Sequence, residues 1–163
     1  VAADDEGLVV WPTHRLVNSS YVSAEEAKKK IAQKMRVEKV SEDRMVSGLK
    51  DNMMGLMFKD GERFLAAREG GEGIWGLDTY VVQEVILKGI YGYDEGRSTV
   101  EYEAEFPNVK RMMDDGMYDL AIVLNDPSLE TIWNLSMEGI RMPKKTTFFF
   151  PKIWSGFVFY KMS

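Results

Sequence analysis

The stretch NMMGLMFKDGERFLAARE, residues 52–69, narrows the fold of this chain more than any other. Two apolar runs flank Asp60-Gly61. A tight hairpin needs positive φ at its tip, and an Asp-Gly pair supplies it. The stretch therefore predicts two antiparallel strands side by side. A sheet hydrophobic on one face needs a layer to cover it, so the next question is what the chain offers as cover.

It offers helices. In SAEEAKKKIAQKM, residues 23–35, Ser23 and Glu26 have capping-box spacing, and Ala24, Ala27, Ile31 and Met35 form one apolar stripe. Lys28, Lys29, Lys30 and Lys34 lie mostly off that stripe and read as a solvated face. Ser41 caps a short helix over residues 42–50. Asp78 begins a second clear helix running to Ile90. Pro107 opens another that stops near Gly116, because Pro suits the first helical position and Gly the residue past the last. Asp126 and Pro127 start a further helix, ended by Gly139, with Leu129, Ile132, Trp133 and Ser136 on its inner stripe.

Further strands are expected at GLVVWPTHRLV (ending at Pro12), RVEKV, TVEYEAEF, MYDLAIVL and GFVFYKM. REGGEGIWG, residues 68–76, carries four glycines and reads as a mobile loop without the P-loop spacing. The pattern predicts an α+β fold: a mixed, mostly antiparallel sheet with helices packed on one face. MYDLAIVL, its following helix and the last strand are a local candidate for a parallel βαβ unit.

At 163 residues, 45% apolar and 29% charged, the chain suits one domain with its own core. Residues 1–163 are read as that single domain. The start on Val rather than Met reads as a fragment or processed chain with sequence missing upstream. The net charge of -5 and a pI near 5.0 argue against general binding to nucleic acid or anionic membrane. With no cysteine there is no thiol nucleophile and no thiolate metal site. His14 is the one histidine, so the chain alone offers no multi-histidine metal centre. No apolar run approaches the roughly 20 residues that span a bilayer. The expected compartment is the cytoplasm.

Three stretches carry a family likeness: PTHRLV at 12–17, YDLAIVLND before a helix, and MPKKTTFFFPKIWSGFVF at 142–159. The last resembles the signature Met-Pro-x-Lys-Ser-Thr-x-Phe-x-Pro-Lys-x-x-x-Gly of the prokaryotic family called domain of unknown function 1015. Thr146 stands where that family usually has serine, and Phe150 where it has tyrosine or phenylalanine. The likeness covers essentially this whole chain but only the C-terminal part of a typical member. Members carry upstream an Ala-Asp-Gly-His-His-Arg-like motif similar to that of ParB and sulfiredoxin-like nucleotide-using proteins. That motif is not in these residues. The resemblance therefore implies a nucleotide, with Mg²⁺, in the full-length protein, and an upstream domain of the same polypeptide as partner.

Two clusters are candidate sites. In RMPKKTTFFFPKIWSG, residues 141–156, Lys144, Lys145 and Lys152 supply charge and Thr146 and Thr147 supply hydroxyls. Such a set holds a phosphate or carboxylate group. The plainer reading is an aromatic strand anchored in the core, with solvated lysines around it. His14 and Arg15 follow Pro12, at a strand end where loops often carry function. His14 is a candidate general base and Arg15 a candidate anion ligand. The plainer reading is a structural histidine bonded to backbone, with Arg15 paired to a carboxylate. If both clusters meet, they make an anion site facing the upstream domain. The competing function is a structural or interaction module that packs on that domain or on a second copy. The methionines read as core filler.

Overall fold

A computed structural model of the chain describes residues 9–150. The predicted hairpin lies within its sheet. Strand β4 (Met53–Phe58) pairs antiparallel with β5 (Arg63–Ala67), with Leu56 opposite Phe64. Gly61, at the tip, has φ of 89°. A Cβ built there meets nothing within 4 Å. Gly61→Ala therefore isolates the backbone cost of a left-handed residue, about 1 kcal/mol. Thermal unfolding of the variant checks this, and an unchanged melting temperature would show that the tip relaxes freely.

Around this hairpin the chain adds β2 (His14–Asn18), β3 (Arg36–Lys39), β6 (Thr99–Glu103) and β7 (Leu120–Leu124). The six strands run in the order β3-β5-β4-β7-β2-β6, and every pairing is antiparallel. The α+β prediction and its mostly antiparallel sheet are what the structure shows. Its local parallel unit needs GFVFYKM as the last strand, and that stretch lies outside the described residues. Strand β8 (Phe148–Phe150) pairs with β1 (Val9–Trp11), antiparallel, as a separate ribbon with Trp11 stacked on Phe148.

Alternation along the strands sends neighbouring residues to opposite faces. Val17, Leu56, Ile122 and Leu124 join one hydrophobic cluster, whereas Leu16, Met57, Ala121 and Val123 join another. The first is covered by helix α1 (Ala24–Ala32), through Ala27 and Ile31, and by helix α3 (Asp78–Val81) and its continuation. The second is covered by α2 (Glu42–Ser47), through Met45, and α4 (Phe106–Asp114), through Val109 and Met113. The expected packing on one face describes the larger layer, and a smaller layer covers the other.

The local signals act as their chemistry dictates. Ser23 and Ser41 each accept a hydrogen bond from the backbone N–H three residues on. Pro107 lies in the first turn of α4, and Gly116, φ 73°, follows its end. Met54 and Met57 are buried, as core filler should be. Lys28 departs from the solvated-face reading. Its Nζ lies 5.2 Å from the Phe58 ring centroid and is paired with Glu25, Asp60 and Glu62. It ties α1 to the hairpin tip.

Three elements differ from expectation. The second helix does not stay α-helical: residues Val82–Lys88 wind as a π-helix, with Gly89 N–H donating to the Glu84 carbonyl and Tyr91 N–H to that of Ile86. This wider winding places Val82 and Leu87, five residues apart, in the same core. The glycine-rich loop is clasped, not loose: Arg68 Nε pairs with Asp78 at 2.6 Å, while its two Nη groups donate to the carbonyls of Glu69, Trp75 and Gly76. Helix α5 (Leu129–Met137) begins at its cap Ser128 and buries Leu135. Its expected inner stripe is largely outside: Leu129 is 42% and Trp133 58% exposed, and Met137 extends that apolar row. Among the described residues no helix is long and apolar enough to cross a membrane.

Candidate functional site

His14 and Arg15 are not in a loop; they begin the interior strand β2. Pro12 does break the ladder, but the chain re-enters the sheet two residues later. Being adjacent in a strand, the two side chains go to opposite faces. The His14 ring lies edge-on to Phe106 of α4, and its Nδ1 accepts the Leu124 N–H at 3.1 Å. That bond occupies the basic lone pair and leaves the neutral ring's proton on Nε2. Burial, and secondarily Arg15, depresses the His14 pKa to about 4 against a raising effect of Glu103. The geometry is that of a neutral histidine tied to backbone.

Arg15 is 1% exposed and faces the other layer. Its two Nη groups donate to the Thr13 carbonyl and, at 3.2 Å, to the Lys145 carbonyl. Its guanidinium lies 5.6 Å from the ring centroid of Tyr102, its cross-strand partner. Among the described residues no carboxylate pairs with it, so the expected ion pair is replaced by carbonyl oxygens and an aromatic face. Burial pulls its pKa down to about 10, yet it stays charged at neutral pH.

Arg15 thereby joins the two candidate clusters through backbone. The Lys144-Lys145 turn is fixed from below. Lys145 is left-handed, with φ of 58°. Thr146 is buried, donates to the Pro143 carbonyl at 2.8 Å, and accepts from the Thr79 hydroxyl at 3.4 Å. Thr146 is therefore a staple for the turn. Thr147 is half-buried beside it, Lys144 and Lys145 are exposed, and Lys152 lies outside the described residues. The structure thus brings Arg15, Lys144, Lys145 and Thr146 together, and it places the sheet between them and His14.

Beside the turn lies a cleft of about 380 Å³, which sequence reasoning missed. Arg141 and Lys144 line one side; the π-helical Gln83, Glu84 and Lys88 line another. Tyr80, Tyr93 and Tyr102 complete it together with Asp94, Met142 and Pro143. Lys88 is paired with Glu84 at 2.8 Å and Asp94 at 3.3 Å. Among the described residues Arg141, Lys144 and Lys145 have no carboxylate within ion-pair distance. Unpaired cations on a fixed turn are a ready partner for an anion. The π winding of the wall was the one available hint that this face is special, since such segments concentrate at functional sites; it is not visible in a 3.6-residue period.

Two other places are chemically distinct. A narrower cleft of about 230 Å³ lies between the clasped glycine loop and the start of α5, and Asp51, Asp78 and Asp126 line it. Its carboxylates disfavour a phosphate. Glu25, Asp60 and Glu62 are close enough to one another to hold a cation, but Lys28 Nζ already bonds to all three.

No family model and no curated sequence matches this chain. Solved structures do share its fold. A mutant of a free serine kinase, in complex with AMP, superposes with a TM-score of 0.64 at 14% identity. A conserved hypothetical protein from Pyrococcus furiosus superposes with a TM-score of 0.63 at 16% identity. A mutant free serine kinase in complex with ADP superposes with a TM-score of 0.61 at 14% identity. Each match covers 91% of this chain but only 56%, 59% and 56% of the other chain, respectively. The chain spans a little over half the length of the proteins it resembles.

Proposed function

We propose that this chain is the phosphate-gripping part of a nucleotide- or phosphometabolite-using protein. In this reading the turn of Lys144 and Lys145 faces a cleft shared with an upstream domain of the same polypeptide. One observation carries it: among the described residues Arg141, Lys144 and Lys145 have no carboxylate partner, and the Lys144-Lys145 turn is anchored by the buried Arg15 and Thr146. Leaving three cations unpaired gains nothing for stability, whereas an arriving phosphate gains charge-assisted bonds with them. The fold shared with kinase structures holding AMP and ADP supports the reading. So does the resemblance of the C-terminal signature to domain of unknown function 1015. Mg²⁺ enters here with the phosphates of the nucleotide.

The test is ligand binding with ADP, ATP, inorganic phosphate and phosphoserine, each with and without Mg²⁺. A ligand at 100 times its dissociation constant stabilises by about 2.7 kcal/mol, a clear shift in melting temperature. The Lys144→Ala, Lys145→Ala double variant is expected to weaken binding at least tenfold, since each charge-assisted bond contributes about 1.5–3 kcal/mol. Both side chains are exposed, so its unliganded melting temperature should hold. Equal binding by the variant and the native chain would remove the turn from the site.

A second reading, an interaction module, rests on helix α5, which leaves Leu129, Trp133 and Met137 exposed along one row. It is separated from the first by sedimentation of the native chain and of Trp133→Lys. A concentration-dependent dimer lost in the variant would support a homo-oligomeric interface.

A further inference from the structure

The phosphate reading leaves the aromatic side of the cleft unexplained. Tyr80 comes from α3, Tyr93 from the 3₁₀ turn Tyr93–Glu95, and Tyr102 from β6, so three separate elements deliver a phenol ring to one place. None of the three is fully buried, so each leaves part of its surface open. Nor are their rings loose. The Trp75 ring meets Tyr80 edge-to-face, with centroids 4.9 Å apart. Tyr102 is held against the Arg15 guanidinium, and Tyr93 packs against the larger core cluster. Preorganised rings of this kind bind at low entropic cost.

We propose that this cleft is a stacking slot for the heteroaromatic base of a nucleotide whose phosphate lies on Arg141 and Lys144. The inference rests on the phosphate reading and narrows it from phosphometabolites in general to nucleotides. Three features support it. A planar base presents a π-face to the tyrosines, and such stacking contributes about 1–3 kcal/mol per base. A sugar phosphate or phosphoserine has no such face to offer and would leave the rings in contact with water. The volume, about 380 Å³, falls within the range of small-molecule pockets. The Gln83 amide, on the π-helical wall, carries both donors and an acceptor and so suits a base edge.

The experiment compares AMP with ribose 5-phosphate, which has the same sugar and the same phosphate but no base. Calorimetric titration of the full chain is expected to show AMP binding at least tenfold tighter. Tyr80→Leu should erase most of that advantage and leave ribose 5-phosphate unchanged, whereas Lys144→Ala should weaken both. Tyr93→Leu, which keeps an apolar side chain against the core, repeats the comparison should Tyr80→Leu fail to fold. Proton signals of the adenine ring should also move upfield on binding, as stacking requires. If AMP and ribose 5-phosphate bind equally and Lys144→Ala weakens both, the base slot is overturned and the phosphate reading stands. If neither binds, both readings fall.

Discussion

Replacing Arg68 with alanine is expected to cost about 3–5 kcal/mol of folding stability, the range found when one partner of a buried ion pair is removed. Arg68 is 5% and Asp78 16% exposed at the side chain, so the abandoned carboxylate would face little water. Three loop carbonyls would lose their donor in the same step. Arg68→Lys should rescue little, because an ammonium lacks the planar fork that reaches Asp78 and the three carbonyls together. Urea denaturation measures the loss, and limited proteolysis within residues 69–76 measures release of the loop. A loss below about 1 kcal/mol, with the loop still resistant, would mean that the loop is held by something other than Arg68. Gly71 would share the blame in that case: a Cβ there would come within 2.7 Å of the Trp75 backbone, so the loop closes tightly at this point in any event.

Acid is expected to weaken the fold through His14. Its folded pKa, about 4, lies below the unfolded value of 6.5. Above pH 6.5 both states are neutral and the stability is fully present. As the pH falls below 6.5 the unfolded chain takes up a proton that the buried ring refuses, and stability drains until about pH 4. The total is about 3 kcal/mol, of which about 2 kcal/mol is lost by pH 5. His14→Gln should be less stable at pH 7, having lost the ring's packing against Phe106, but its stability should fall less on going to pH 5. Parallel urea titrations at the two pH values decide this. Equal losses in both proteins would assign the acid sensitivity to carboxylates alone.

What the sequence makes legible here is whatever is written locally. Asp60-Gly61, Ser23, Ser41 and Pro107 each act on neighbours a few residues away, and each appears in the structure as its chemistry requires. Register and layering are written between distant residues and are much harder to read. No local pattern says that Phe148 lies opposite Trp11, or that Arg68, next to a run of glycines, folds back on that run. His14 and Arg15 show the difference at the candidate site. Read as a loop, they point together; placed in a strand, they must part. The lysine turn was legible because three cations near two threonines are conspicuous in any sequence. The tyrosines beside it were not, because Tyr80, Tyr93 and Tyr102 converge only once the sheet and the π-helix are built. The α5 stripe has the opposite lesson: an apolar period marks a face that seeks cover without saying that this chain provides it.

The ribbon of β1 and β8 has a mechanical consequence. Val9 and Phe150 are cross-strand partners at one end of the ribbon, and Trp11 and Phe148 are partners at the other. Tension carried by the residues before Val9 and after Phe150 therefore loads the ribbon in peeling geometry, opening one pair at a time, instead of shearing all of them together. The Trp11–Phe148 stack is the last tooth of that zipper. Only when it parts does force reach β2, and with it the Arg15 contact that holds the lysine turn.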